Sequence, residues 1–302
     1  MRLVKETYSG VYDLAILGLG YEDRASSTFD ALGSSLTTVL AIGYEEHTDK
    51  FNYQALKEKY QSSNIEVIEG NDQKVVSHCL KWVSCRIDDA KPMRVLIDIT
   101  VMSRSRLSAI LYHVIDLLPK GSKLTVTYQL SDFVEAPEGL SPIKKVGEII
   151  PELSGDIGDL TLPTSVIVGL GYEKGKALGL VTLIDAEYQY LCIPKGLDKR
   201  FDECVELNND PLINATPLNN KIYYNVELPY NTYLDLRDLL ISVSSFSNPM
   251  LVPLGPKILA AICLVLGKEF GDLPVWRVSS EHSEIPVNRK ASGKKIDFII
   301  ES

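Results

Sequence analysis

The pentapeptide Gly-Leu-Gly-Tyr-Glu occurs twice, at 18–22 and at 169–173, its copies 151 residues apart in a chain of 302. Each copy follows an apolar, β-rich run, "DLAIL" in the first and "SVIV" in the second, and each precedes a helical pattern. Paired glycines between a strand and a helix allow a sharp turn and close backbone approach. A repeat at half the chain length marks duplication on the scale of a whole domain, not the short period of a solenoid. The expectation is two tandem Rossmann-like α/β domains with mainly parallel sheets, related by internal duplication. They would span 1–136 and 164–302, with a Gly/Pro/Glu-rich linker at 137–163.

The rest of the chain repeats that grammar. In the first half, strands are predicted at 13–20, 37–44, 65–70, 94–100 and 123–130, with helical patterns between them. In the second half they are predicted at 165–171, 188–194, 221–228, 249–255 and 274–280. Strands that are apolar at nearly every position are buried on both faces, as in a parallel sheet covered by helices. Strict alternation of strand and helix gives an α/β domain. The tail at 293–302 also has strand character, and its sequence suits either sheet.

Composition removes several function classes. A net charge of −9 opposes an extended nucleic-acid surface, which needs clustered Lys and Arg, but leaves room for a small anionic ligand. No apolar run reaches the roughly 18 residues of a membrane span, and the first residues carry charges in place of a signal-peptide core, so a cytoplasmic protein with no membrane contact is expected. Five scattered cysteines without CxxC spacing indicate reduced thiols, not a disulfide framework or a zinc site. His47, His78, His113 and His282 lack metal-ligand spacing. With no third glycine after Gly20 or Gly171, no P-loop and no G-x-S-x-G elbow, neither a bound cofactor nor a metal is expected.

Two loops in each half fall at the carboxyl ends of the predicted strands, where open α/β sheets bind ligands. The first comprises Gly18, Gly20, Tyr21, Glu22 and Arg24, and its counterpart Gly169, Gly171, Tyr172, Glu173 and Lys174. Here a helix start offers N–H groups to an anion. The second follows the fourth strand. In "IDITVMSRSRL" it carries Asp98, Thr100, Ser103, Arg104, Ser105 and Arg106; in "VPLGPKILA" it carries Gly255 and Lys257. Hydroxyls, guanidinium groups and an ammonium at a helix start suit a phosphate. The same residues also fit an architectural reading in which the glycines turn the chain, Tyr packs, and Glu or Ser caps a helix.

"LVPLGPKILAAICLVL" resembles the strand-loop-helix of CARF domains, Rossmann-like sensors of prokaryotic CRISPR-associated defence. Gly255 and Lys257 match the loop of that family, and its threonines have no counterpart here. Two such units fused in one chain resemble the SAVED arrangement. That resemblance implies a sensor of a small nucleotide or other phosphate-bearing ligand, bound between paired domains, that works with a protein effector in an anti-phage system. Two alternatives stay open. One is a phosphodiester or nucleoside hydrolase using Glu22 or Asp98 as general base beside Arg104. The other is a non-catalytic scaffold subunit of a defence complex.

Overall fold

A computed structural model describes residues 1–88, 91–136, 143, 145–156, 158–271, 273–279 and 286–302. In chain order the first part contains β1 (Arg2–Val4), β2 (Tyr12–Gly18), α1 (Ser27–Leu32), β3 (Leu36–Gly43), α2 (Tyr53–Ser62), β4 (Glu66–Glu69), α3 (Asp72–Ser84), β5 (Arg94–Asp98), α4 (Arg104–Leu117) and β6 (Lys123–Ser131). The next part holds β7 (Lys145–Glu148), β8 (Thr164–Gly169), α5 (Lys176–Ile184), β9 (Tyr188–Lys195), α6 (Lys199–Asn208), α7 (Asp210–Ala215) and β10 (Lys221–Asn225). It continues through α8 (Pro229–Val243), β11 (Asn248–Pro253), α9 (Lys257–Phe270) and β12 (Trp276–Ser279), and the chain ends on β13 (Ala291–Glu301).

These elements form two compact units. Unit 1 comprises Met1–Asp132 with the C-terminal segment through Ser302, and unit 2 begins at Phe133 and lies between them in sequence. The sheet of unit 1 runs β1-β13-β6-β5-β2-β3-β4, with β6, β5, β2, β3 and β4 parallel and β13 antiparallel to both of its neighbours. The sheet of unit 2 runs β10-β9-β8-β11, all parallel. In each unit the first and fourth parallel strands are therefore neighbours, which brings the two candidate loops together. Apolar strand residues fill each core, among them Ala15, Leu17 and Leu96 in unit 1 and Val166, Val168 and Val252 in unit 2.

The structure corrects the expected boundaries in two places. The second unit does not extend to 302, because β13 pairs with β6 and completes the sheet of unit 1. Ile296, Phe298 and Ile300 are buried there, so alternate tail residues gain a core that solvent would deny them. The strand expected at 274–280 is not a fifth parallel strand of unit 2. Val275 makes an isolated bridge to Leu251 of β11, and β12 instead pairs antiparallel with β7, which arises within the expected linker. Of that linker, residues 137–142, 144 and 157 lie outside the described residues.

Candidate functional site

Both Gly-Leu-Gly turns form the same joint. Leu19 N–H donates to Ile42 O at 2.7 Å and Leu170 N–H donates to Cys192 O at 2.9 Å, so each turn extends the ladder toward the second strand. Both leucines are buried. The glycines then let the loop after the fourth strand pack directly on the turn. A Cβ on Gly20 would sit 2.9 Å from Val101 Cβ, and one on Gly18 would strike Val101 Cγ2. In unit 2, a Cβ on Gly171 would lie 2.8 Å from Leu254 O, and one on Gly255 2.7 Å from Leu170 O. The glycine repeat thus marks a tight junction between neighbouring strands.

In unit 1 the cations that the sequence singles out turn inward. Arg106 is fully buried, and its Nε donates to Asp72 Oδ1 at 2.7 Å, Nη1 to Gly43 O at 2.7 Å and Nη2 to Gly70 O at 2.8 Å. Its guanidinium lies 3.5 Å from the centroid of Tyr44, whose hydroxyl accepts Ser103 N–H at 2.7 Å. Arg24 is likewise buried. It donates to Glu22 Oε2 at 2.6 Å and to Gln129 O at 2.8 Å. Burial works against its charge, but Tyr128 and Glu22 outweigh that cost and hold its pKa above the ordinary arginine value. Arg24 and Arg106, expected as ligand contacts, are both bonded within the fold. Both cross-link loops, a use that favours arginine for its planar fork of donors.

The remaining polar groups of unit 1 are also used by the fold. Ser103 is the N-cap of α4 and accepts Arg106 N–H at 3.1 Å. Ser105 Oγ donates to Asp72 Oδ2 at 3.0 Å. Thr100 Oγ1 accepts Gln129 N–H at 2.9 Å, and Arg104 is half-buried in the first turn of α4. The C-terminal segment covers the first turn: Asp23 N–H donates to Asn288 Oδ1 at 2.9 Å, Arg24 N–H to Arg289 O at 3.2 Å, and Arg289 Nη1 pairs with Glu22 Oε1 at 3.4 Å.

Asp98 is buried and accepts Thr100 N–H at 2.8 Å. Burial pushes its pKa up from the ordinary aspartate value. Glu22 is nine-tenths buried in its ion pairs. Both carboxylates of the expected hydrolytic cluster of Glu22, Asp98 and Arg104 are thus held inside the fold. Burial pushes the Cys79 and Cys192 thiols up to about 12, which keeps those two protonated and unreactive. Among the described residues, no group of three His, Cys, Asp or Glu side chains could hold a metal ion.

Unit 2 presents different chemistry on the same frame. The N-cap residues of α5 and α9 are Gly175, at φ 75°, and Pro256, and neither carries a side-chain acceptor for the first-turn N–H groups. Lys174 is exposed, Lys257 is half-buried at the start of α9, and Lys176 pairs with Glu173 at 3.4 Å. Lys176 escapes the sequence comparison because the residue 151 positions earlier is Ala25, with no cation to match it. Asn208 and Asn209 donate from Nδ2 to Tyr172 O at 2.6 Å and Gly171 O at 2.8 Å, which fixes the turn. Beside it, the Tyr172 and Phe201 rings stand 6.0 Å apart and Phe201 and Phe133 5.0 Å apart. A separate hollow of about 690 Å³, lined by Trp276, Phe270 and Leu183 among others, includes none of the sequence-predicted site residues.

No protein-family model and no curated protein matches the chain. Among solved structures, it is similar to a Listeria monocytogenes protein classed as an S-adenosylmethionine-dependent methyltransferase, at 16% identity over 40% of this chain and 46% of that one, with a TM-score of 0.22. The chain thus spans less than half of that structure. It is also similar to the cytoplasmic domain of a prokaryotic cation chloride cotransporter, at 10% identity, 90% and 97% coverage and a TM-score of 0.26. A third likeness is to phosphoethanolamine N-methyltransferase 1 of Haemonchus contortus, at 9% identity, 81% and 70% coverage and a TM-score of 0.27. These scores carry no argument about function. The Rossmann-like α/β description rests on the parallel strand order of each unit, and among the described residues no helix is long and apolar enough to cross a membrane.

Proposed function

We propose that the carboxyl end of the unit 2 sheet binds a phosphate-bearing nucleotide, and that the protein reports this ligand to an effector in a prokaryotic, anti-phage or other regulatory system. The observation that carries the binding step is the contrast at the helix starts. In unit 1, Ser103 caps α4 and both arginines are tied inside the fold, whereas the N-cap residues of α5 and α9 bring no side-chain acceptor, with Lys174 exposed beside the first and Lys257 at the start of the second. Helix N-termini and lysines together suit an anion. The ring group of Tyr172, Phe201 and Phe133 beside the turn favours a nucleotide over bare phosphate. Duplication of one ancestral domain is part of this reading. It is supported by the recurring pentapeptide and by the shared third-second-first-fourth order of parallel strands. The effector role derives from the CARF and SAVED resemblance alone.

The test is a thermal-shift titration of the full chain with ATP and a cyclic oligoadenylate. A ligand at one hundred times its dissociation constant adds about 2.7 kcal/mol of stability, enough to raise the melting temperature by several degrees. Lys257→Ala should abolish the rise, and Arg24→Ala should leave any residual fold still able to respond. A melting temperature unmoved by either nucleotide sinks the proposal.

A further inference from the structure

Tyr21 of the first pentapeptide has neighbours that the sequence comparison did not single out. The loop between β3 and α2 brings His47 and Phe51 against it, with ring centroids 6.1 Å and 5.9 Å away. The His47 ring is perpendicular to Tyr21 and the Phe51 ring is inclined at 43°. Both residues occupy the left-handed region, His47 at φ 60° and Phe51 at φ 41°, which side chains with a Cβ rarely adopt. The loop holds that conformation through hydrogen bonds: Lys50 N–H donates to His47 O at 3.1 Å and Asn52 N–H to Tyr21 O at 3.3 Å. Phe51 nonetheless leaves 55% of its surface exposed. Disfavoured backbone that presents an apolar ring to solvent, at the ligand-binding end of a Rossmann-like sheet, points to a use for the ring.

The surrounding charge decides the class of ligand. The loop carries Glu45, Glu46 and Asp49, and its one cation, Lys50, is paired with Asp49 at 2.9 Å. An acidic rim repels phosphate, while its carboxylates accept hydrogen bonds from ring N–H groups or sugar hydroxyls. We propose that Tyr21, His47 and Phe51 form a stacking subsite for an uncharged heteroaromatic ring of the nucleoside class. This subsite belongs to unit 1 and does not rest on the phosphate site proposed for unit 2.

Saturation-transfer NMR on the full chain tests it, with adenosine and AMP as probes. Adenosine should show saturable binding that Phe51→Ala weakens about tenfold or more, the loss expected when one base-aromatic stack is removed. Phe51→Gly relieves the backbone, so it should keep or raise the melting temperature while losing the binding. A purely architectural phenylalanine would not separate those two readouts. AMP should show weaker Phe51-dependent binding than adenosine. Adenosine binding that persists in Phe51→Gly overturns the proposal, as does Phe51-dependent binding that favours AMP. No adenosine binding at all also overturns it, and leaves the exposed ring as a contact for a protein side chain.

Discussion

Units 1 and 2 share a turn, a strand order and a junction between the first and fourth strands, yet they spend their cations in opposite ways. Arg106 in unit 1 reaches two backbone carbonyls and Asp72, and Arg24 reaches Gln129 O and Glu22, so both work as internal braces. Lys174 in unit 2 points to solvent, and Lys257 stands at the first turn of α9. A cation beside a glycine turn is therefore not a ligand contact by position alone. Arg24 and Arg106 show how a backbone carbonyl within reach of a forked donor claims such a cation for the fold.

The largest expected effect breaks the brace. Arg106→Met removes a buried guanidinium, takes away the Gly70 carbonyl's arginine donor and leaves Gly43 O with the long 3.4 Å bond from Gly70 N–H. With Asp72 partly exposed and able to rehydrate, the loss should fall near the low end for a broken buried pair, about 3 kcal/mol. Urea denaturation followed by circular dichroism would read it, and a change below about 1 kcal/mol would show that the arginine is not a brace. Lys174→Met, at an exposed position of unit 2, should leave the same curve almost unmoved.

A smaller effect compares the two glycine joints. Gly171→Ala sets a methyl against the Leu254 carbonyl, which is backbone and cannot swing away, so about 2 kcal/mol of destabilisation is expected. Gly20→Ala meets only the Val101 side chain, so about 1 kcal/mol is expected, and Val101→Ala should restore it in the double variant. Equal costs at both positions, or no rescue, would mean that the turns are not packed as described.

The smallest effect is a slope with pH. Burial raises the Asp98 pKa in the folded state, so the native protein holds a proton that the unfolded chain has released. Its contribution is fully present below about pH 4, the unfolded value, and is lost as pH rises through the folded pKa, by at most about 1.4 kcal/mol per pH unit. Asp98→Asn keeps an acceptor for Thr100 N–H and removes the titration. The stability of wild type relative to the variant should therefore fall with rising pH, and a flat difference across pH 4–8 would refute the assignment.

The parallel strands and their helices were legible because each has a strong apolar period and clear turn residues, as in "DLAILGLG" and "ILAAICLVLG". The position of β13 was not, because alternation in "KKIDFIIE" specifies a buried face without naming the sheet that buries it. Loop residues were read by chemical type, and type does not report direction: nothing in the sequence shows that Arg106 turns inward to Gly43 O and Gly70 O while Lys174 stays exposed. His47 and Phe51 left no signal, since a left-handed residue other than glycine, asparagine or aspartate has no sequence signature.

The return of β13 to unit 1 also sets an order of assembly. Residue 131 ends β6, but its antiparallel partner begins at residue 291, so the whole of unit 2 is translated before that edge can be covered. During synthesis β6 waits as an open strand while unit 2, whose strand pairings among the described residues are all internal, is free to fold. Ribosome-bound chains of this protein should accordingly acquire unit 2 first and close unit 1 last, with the uncovered β6 edge as the point where misassembly begins.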